Sequence, residues 1–327
     1  MPSISALQTA VIFLLPLVVA AFRLSFLTAL LLVAALLVLR WLGVLRGLRG
    51  RKNDAELTLV TIGASHFAEK ARWCLDRLGL AYSERRAAGT LGAFYLGRTV
   101  PVLEFRSGLV RSSIGNSPEI LRYLWGRYAA ERSADAAFLE PTAERLELET
   151  RLDRYGQNLQ LWVYYHLLPH KQLLLHAWGA DDNSVPVWQR FMLRFLRPVQ
   201  AAMIRYAFGT SRSRYEKALQ HIDALLKELD DRLENCLESR PNSLLGEEVL
   251  NFTDLSFAAL SSIWLMPEEF AGGRATTLKI GELPAEMQRD IEHFKTAYPA
   301  AAAFAARLYA EERSGKRSAE TPPGEKS

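Results

Sequence analysis

The stretch Ser65–Arg72 combines a hydroxyl with charged side chains at the start of a predicted helix. It follows the apolar run Leu57–Ile62, which has the pattern of a buried strand. A hydroxyl at a helix start lies among unpaired backbone N–H groups and at the positive end of the helix dipole, so an anionic sulfur or oxygen brought there is stabilised. The alternative is that Ser65 only caps the helix, which is worth about 1 kcal/mol. The two roles are compatible, because a capping serine on an open edge can also face a ligand.

The elements around Ser65 predict a small α/β domain. Phe67–Leu78 has a helical pattern closed by Gly79, and Leu80–Glu84 follows as a second strand, which gives a βαβ unit. Beyond them the sequence predicts strands at 99–105 and 108–113, then a helix that opens at Asn116 or Ser117 and runs to about Tyr128.

This order of elements resembles the thioredoxin-like N-terminal domain of cytosolic glutathione transferases over about residues 56–130. The Ser65 turn, the Val100-Pro101-Val102 segment and the Asn116-Ser117 pair carry the resemblance. It implies that Ser65 is the catalytic serine, as in zeta- and theta-like members, and that a helical C-terminal domain follows. It also implies that Pro101 is a cis-proline, that Val100 pairs with the cysteinyl part of glutathione, and that Asn116 and Ser117 bind the γ-glutamyl end. Glutathione is then a co-substrate, with no other cofactor.

The turn Ser65-His66-Phe67-Ala68-Glu69-Lys70 looks especially like a little-characterised bacterial branch that reads Ser-His-Phe-Cys-Glu-Lys. Ala68 replaces the common cysteine, which removes the second thiol needed for dithiol exchange. Asn116 stands where Asp or Glu often meets the ligand's amino group, so a charge-assisted hydrogen bond becomes a neutral one of about half the strength. A thiol reductase like omega members is disfavoured because Ser65 stands where such members carry the nucleophilic cysteine. A noncatalytic binding or scaffold protein is the alternative to a transferase, and Asn116 and the aromatic insertion at 169–214 favour it.

A long helix is predicted from Pro141 to Leu168, and its second half is strongly aromatic. The resemblance implies that this helix lines the site of a second, hydrophobic electrophile, with candidate residues His66, Trp162, Tyr165 and His166. The alternative is that the aromatic residues form a buried core stripe and that His66 faces solvent. The histidines between 166 and 176 are irregularly spaced, so we predict no metal site.

Four later segments bear on the predicted helical domain. Residues 169–214 are rich in Trp, Phe, Leu and Arg and could close over the site, pack on the neighbouring domain or contact a bilayer. Tyr215–Leu237 has the pattern of an amphipathic helix. Asn251 and Asp254 form a capping-box variant at the start of another helix, which matches the Ser/Thr-x-x-Asp box of glutathione transferases and supports fold alone. Ile291–Glu312 closes the domain.

An almost wholly apolar segment runs from Ala10 to Leu39, interrupted by Pro16 and Arg23. The part from Leu24 to Leu45 is about long enough to cross a hydrocarbon core of roughly 30 Å. We predict a single transmembrane anchor, with a short hairpin turning near Arg23 as the alternative. By the positive-inside rule, the basic residues that follow place the globular body in the cytoplasm: Arg40, Arg46, Arg49, Arg51 and Lys52.

The 327-residue chain carries 40 Lys and Arg against 36 Asp and Glu, a net charge of +4. The excess follows the apolar segment and recurs near the chain end, which favours a membrane surface. No zinc-finger spacing, groove-binding arginine helix or ribonucleoprotein motif is present, so we predict no nucleic-acid partner. Cys74 and Cys236 are far apart, with no Cys-x-x-Cys, which fits a reducing compartment.

The predicted organisation is an N-terminal transmembrane helix, an α/β thioredoxin-like domain and an all-α glutathione-transferase C-terminal domain. Residues 1–53 form the anchor and its basic linker, 54–131 the glutathione-binding domain, 141–312 the helical domain and 313–327 a disordered polar tail. The expected partners are glutathione, a hydrophobic electrophile and the lipid bilayer, and a homodimer is left open.

Overall fold

The computed structural model describes residues 26–48, 56–89, 100–107, 109–236, 241–274 and 278–313. Its residues group into two compact units, one within Met1–Leu57 and Glu104–Ser113, the other within Thr58–Leu103 and Ile114–Ser327. The domain boundaries expected from the sequence stay a prediction. Residues 314–327, which belong to the predicted tail, lie outside the described residues.

The described strands are β1 (Glu56–Thr61), β2 (Ser83–Arg86), β3 (Val102–Ser107) and β4 (Val110–Gly115). The described helices are α1 (Phe26–Leu48), α2 (His66–Arg77), α3 (Ser117–Tyr128), α4 (Ser133–Ala136), α5 (Ala143–Leu167), α6 (Lys171–Ala177), α7 (Val187–Phe208), α8 (Arg212–Glu234), α9 (Phe252–Leu265), α10 (Ala285–Ala297) and α11 (Pro299–Leu308). Short 3₁₀ segments cover Ala137–Leu139, Phe270–Gly273 and Ile280–Glu282, and a π-helical turn covers Tyr309–Arg313.

The strands form one four-stranded sheet in the order β2-β1-β3-β4. β1 and β2 are parallel, with Thr58 opposite Ser83, and α2 connects them, so the predicted βαβ unit is present. β2 begins at Ser83, three residues later than predicted. The reason is the end of α2, where the Gly79 N–H donates to the Asp76 carbonyl and the Leu80 N–H donates to the Leu75 carbonyl. This Schellman pair, with Gly79 at φ 63°, takes up the residues assigned to the strand.

Helix α1 belongs to the first unit and exposes a series of apolar side chains. Each of the following is at least 49% exposed: Leu27, Leu30, Leu31, Leu37, Val38, Leu39, Trp41 and Leu42. Among the helices that the structure describes, none has the length and apolarity required to cross a membrane. The transmembrane anchor predicted from the sequence is therefore not confirmed, and its first part, residues 10–25, lies outside the described residues.

The core of the second unit is built around α9, which is buried on nearly every face. A helix that is apolar all round must lie inside the protein, and α2 and α5 pack against it. Gly156 of α5 marks the closest approach, because a Cβ atom there would lie 2.8 Å from Leu260 and 2.9 Å from the Phe67 ring. The packing of these three helices thus requires a residue without a side chain at position 156.

The start of α9 carries the predicted capping box. The Asn251 side chain accepts from the Thr253 N–H at 2.8 Å, and the Asp254 carboxylate accepts from the Asn251 N–H at 2.8 Å. Asp254 also accepts from the Leu244 N–H at 2.7 Å and the Ser243 hydroxyl at 3.2 Å. Asp254 is fully buried, so it satisfies donors of both the helix and the preceding loop where water is absent.

We predict that Asp254→Ala lowers the free energy of unfolding by about 2–5 kcal/mol, because the buried N–H groups of Leu244 and Asn251 lose their acceptor. Equilibrium urea unfolding measures the change. Asp231→Ala is the matched control, since the Asp231 carboxylate is exposed on α8 and its ion-pair partner Lys227 is exposed too, which predicts a loss of about 1 kcal/mol or less. Equal losses in the two variants would contradict the role given to Asp254.

Candidate functional site

Ser65 is the N-cap of α2, as the sequence predicts. Its Oγ accepts from the Ala68 N–H at 3.2 Å, and its N–H donates to the Ile62 carbonyl at 3.0 Å, which closes the turn after β1. The side chain is half-buried. Within the described residues the Ser65 hydroxyl hydrogen has no acceptor, so the hydroxyl can cap the helix and donate to a ligand at the same time.

The turn that carries Ser65 is held by a buried guanidinium. Arg72 is fully buried; its Nη2 donates to the Gly63 carbonyl at 3.3 Å and to Glu84 of β2 at 2.7 Å. The Thr61 hydroxyl donates to the same Glu84 oxygen at 2.5 Å. Burial alone would lower the pKa of Arg72, but the Glu84 and Glu69 carboxylates raise it, so the side chain is charged. The turn is therefore bonded to β2 as well as to its own helix.

Two further charged residues of α2 are fully buried, and sequence reasoning missed their role. Glu69 accepts from the Ala271 N–H at 3.0 Å and from the Arg313 Nε at 2.9 Å. Lys70 bonds to Glu149 of α5 and lies 3.3 Å from Asp153. Burial opposes the charge on Lys70, yet these two carboxylates raise its pKa. The available signal was the run of Glu69 and Lys70 in the first turns of a helix that also carries an apolar face, with Ala71, Cys74 and Leu75.

The residues expected to bind glutathione lie around the start of β3 and the start of α3. The Val100–Pro101 peptide bond is cis, as the resemblance implies. The Asn116 N–H donates to the Pro101 carbonyl at 3.1 Å, which brings these two residues together. Asn116 has φ 73°, a left-handed value that non-glycine residues adopt only where the surrounding structure enforces it.

The side chains of Asn116 and Ser117 face different environments. Asn116 is exposed and makes no capping hydrogen bond, so its amide is open to a ligand. Ser117 is fully buried, and its Oγ has no hydrogen-bond partner within the described residues. A buried hydroxyl without a partner costs about 1–3 kcal/mol, and an acceptor supplied by a ligand would remove that cost.

His66 does not face solvent, and this expectation is corrected by the structure. Its side chain is 6% exposed, and Nε2–H donates to the Gly156 carbonyl at 3.1 Å. Burial lowers the pKa of His66 to about 4, although the hydrogen bond to Gly156 partly offsets the effect. His66 is therefore a neutral residue that joins α2 to α5.

Two of the aromatic candidates on α5, Trp162 and His166, lie in the interior around one carboxylate. Asp290 of α10 accepts from the Trp162 Nε1 at 2.7 Å, from the His166 Nε2 at 3.0 Å and from the Tyr215 hydroxyl at 2.8 Å. Tyr165 is half-buried and stacks on Tyr215 with ring centroids 4.2 Å apart. The location of Trp162 and His166 agrees with the alternative prediction from the sequence, in which these residues belong to a buried core stripe.

A different face of α5 lines a cavity beside the Ser65 turn. The cavity has a volume of about 80 Å³ and an apolar lining that includes Ala64, the residue before Ser65. Val163 and Leu167 line the cavity from α5, and each directly follows a residue that the sequence analysis proposed for the site, Trp162 or His166. Other lining residues are Ile263, Met266, Phe270 and Met287. This face could not be predicted from the sequence, because the aromatic residues in the second half of α5 are distributed around the whole helix.

The buried, neutral state of His66 predicts a pH dependence of stability. The unfolded chain takes up a proton on this histidine near pH 6.5, whereas the folded chain does so only near pH 4. Between these values the unfolded state binds more protons, so the free energy of unfolding falls as the pH drops. The loss should be on the order of 3 kcal/mol across the window.

His66→Gln keeps a donor for the Gly156 carbonyl and does not titrate. Urea unfolding between pH 7.5 and 4 should therefore show a shallower decline for this variant than for the natural chain. Parallel declines would show that His66 does not carry the effect.

No protein-family profile matches the sequence. No curated protein matches it either.

Solved structures of glutathione transferases are similar to this chain. One, from Methylobacterium radiotolerans in complex with glutathione sulfonate, is 15% identical, with a TM-score of 0.48 over 83% of this chain and 100% of that chain. The β-etherase LigF from Sphingobium sp. is 15% identical, with a TM-score of 0.47 over 79% of this chain and 96% of that one. A transferase from Ceriporiopsis subvermispora in complex with glutathione is 15% identical, with a TM-score of 0.46 over 79% and 97%.

Proposed function

We propose that this chain is a membrane-associated glutathione transferase-like protein in which Ser65 activates the thiol of glutathione. The observation that carries the proposal is the Ser65 hydroxyl. Its oxygen already accepts from the Ala68 N–H at 3.2 Å, and its hydrogen has no acceptor within the described residues. The group is half-buried at the positive end of α2, where a thiolate is stabilised and only partly screened by water.

The proposed chemistry needs a moderate shift in the pKa of the glutathione thiol. Free thiols titrate near 8.5, and lowering that pKa by about two units corresponds to roughly 2.7 kcal/mol. A hydroxyl donor together with the helix N-terminus supplies energy of that order. The thiol proton leaves to solvent, and the thiolate forms a C–S bond to the electrophile. The electron pair of the broken bond departs with the leaving group.

The glutathione-binding role belongs in this proposal to the Val100 backbone, Pro101, Asn116 and Ser117. The exposed Asn116 amide offers a donor to the γ-glutamyl end, at a position where the backbone is held at φ 73°. The Ser117 hydroxyl offers a donor that currently has no partner. Because Ser117 is fully buried, glutathione reaches it only after a local opening.

The hydrophobic electrophile would enter the apolar cavity next to Ala64. Its lining by Val163, Leu167 and Met266 suits an apolar group, and the neighbouring Ser65 would hold the sulfur within reach. A cavity of about 80 Å³ admits only a small part of a substrate, so the rest would lie outside it. His66 and Trp162 have no direct contact with substrate in this proposal.

Membrane association in this proposal depends on the apolar surface of α1. Leu31 and Leu39 are each more than 60% exposed, and Trp41 is 61% exposed near the basic end of the helix. Apolar surface of this extent is favourable in a bilayer and costly in water. Arg40 and Arg46, with the basic residues that follow, favour the cytoplasmic side for the globular body.

A noncatalytic binding protein is the second candidate, and the full burial of Ser117 favours it. If Ser117 stays buried, the γ-glutamyl end loses one of its donors. Asn116 then provides only a neutral hydrogen bond, so affinity for glutathione would be low.

Calorimetry with glutathione on the full chain in detergent micelles tests the two candidates. We expect binding in the micromolar to millimolar range, and Ser117→Ala should weaken it about tenfold or more, equivalent to roughly 1.4 kcal/mol. Ser65→Ala should still bind glutathione but lose conjugation to an activated aryl halide. Ser213→Ala, an exposed serine on α8, is the control and should change neither quantity.

No heat of binding at about 10 mM glutathione would refute the enzyme proposal. Binding that persists without conjugation in the natural chain would instead support the noncatalytic candidate.

A further inference from the structure

Helix α7 carries an apolar stripe that faces away from the protein. From Trp188 onward its members recur every three or four residues, and all are between 44% and 92% exposed: Val187, Trp188, Phe191, Phe195, Val199, Met203 and Tyr206. The opposite face is buried through Leu193, Gln200, Ala201 and Ile204. Helix α7 thus differs from an ordinary surface helix, because large aromatic side chains lie on its exposed face.

The charge on α7 is of one sign. The 22-residue helix contains four arginines, Arg190, Arg194, Arg197 and Arg205, and no aspartate or glutamate. At roughly 100° per residue, the exposed Arg194 and Arg205 fall along one edge of the apolar stripe. Arg190 and Arg197 are half-buried and fall on the side of the helix that carries the buried Ile204. Arg194 bonds to Asp181 at 2.8 Å, whereas Arg197 and Arg205 form no ion pair within the described residues.

This arrangement distinguishes between the occupants that could cover the stripe. A second copy packed on the same face would bring the exposed Arg194 and Arg205 of both copies to one interface, and α7 has no acidic side chain to neutralise them. An anionic bilayer supplies both of the required environments. Its acyl boundary takes the aromatic side chains, and its headgroups take the guanidinium groups that extend along the edge.

We propose that α7 lies in the interface of an anionic lipid bilayer, with Phe191, Phe195 and Tyr206 inserted and Arg194 and Arg205, at the edge of the stripe, on the lipid phosphates. This contact is separate from the apolar surface of α1 and does not depend on glutathione binding. It makes the second unit itself a lipid-binding body, selective for negatively charged membranes.

The test uses the full chain reconstituted into vesicles of phosphatidylcholine alone or mixed with phosphatidylglycerol. An environment-sensitive fluorophore is placed on Tyr206→Cys in a Cys236→Ser background, since Cys74 is buried and does not react. The label should shift to the blue and become protected from an aqueous quencher only in the phosphatidylglycerol vesicles. A label on Asp135→Cys, exposed on α4, should stay accessible in both.

Two variants separate charge from insertion. Arg194→Gln with Arg205→Gln should at least halve the protection of the label at position 206, and added salt should do the same in the unsubstituted chain. Phe191→Ser with Phe195→Ser should abolish the protection, while circular dichroism shows an unchanged fold because both side chains are exposed.

Three results would overturn the proposal. The label at position 206 could remain accessible on phosphatidylglycerol vesicles, or it could be protected equally by phosphatidylcholine alone. Protection that appears without lipid and rises with protein concentration would show that a second copy covers the stripe.

Discussion

Three charged side chains within a single turn of α2 are buried, and the position of this helix in the fold depends on the partners that pair with them. Glu69, Lys70 and Arg72 are all fully buried. Removing an ionised side chain from water costs several kcal/mol unless a partner is placed against it, and leaving one such charge without its partner typically costs 3–5 kcal/mol. Helix α2 therefore folds into this position only when every partner is also in place.

Those partners come from distant parts of the chain. Glu69 is bonded to Arg313 near the end of the described residues, Lys70 to Glu149 on α5, and Arg72 to Glu84 on β2. The helix that begins at Ser65 is thus fixed relative to the sheet and to the helical core at once. This rigidity gives the turn a defined orientation, which hydrogen-bond activation of a bound thiol requires.

Local features of the fold could be predicted from the sequence because they depend on neighbouring residues. The Ser65 cap, the Gly79 helix end and the box of Asn251 and Asp254 all follow from side chains within a few positions. The cis bond at Pro101 followed from resemblance instead.

The misplaced residues all depend on non-local contacts. His66 is buried because Gly156, ninety positions later, leaves space for the approach of α5. Trp162 and His166 face Asp290, whereas Val163 and Leu167 face the cavity, and nothing in an aromatic run of the sequence indicates which side points toward Ser65. Arg313 was assigned to a disordered tail because its partners Glu69 and Asp76 are more than two hundred residues away.

The most direct test of the account is the pKa of the glutathione thiol bound to the full chain, measured by the ultraviolet absorbance of the thiolate during a pH titration. We predict a pKa about two units below the free value of about 8.5, and a return toward that value in Ser65→Ala with glutathione still bound. An unshifted pKa in the natural chain, or an equal shift in Ser65→Ala, would contradict the claim that Ser65 activates the thiol.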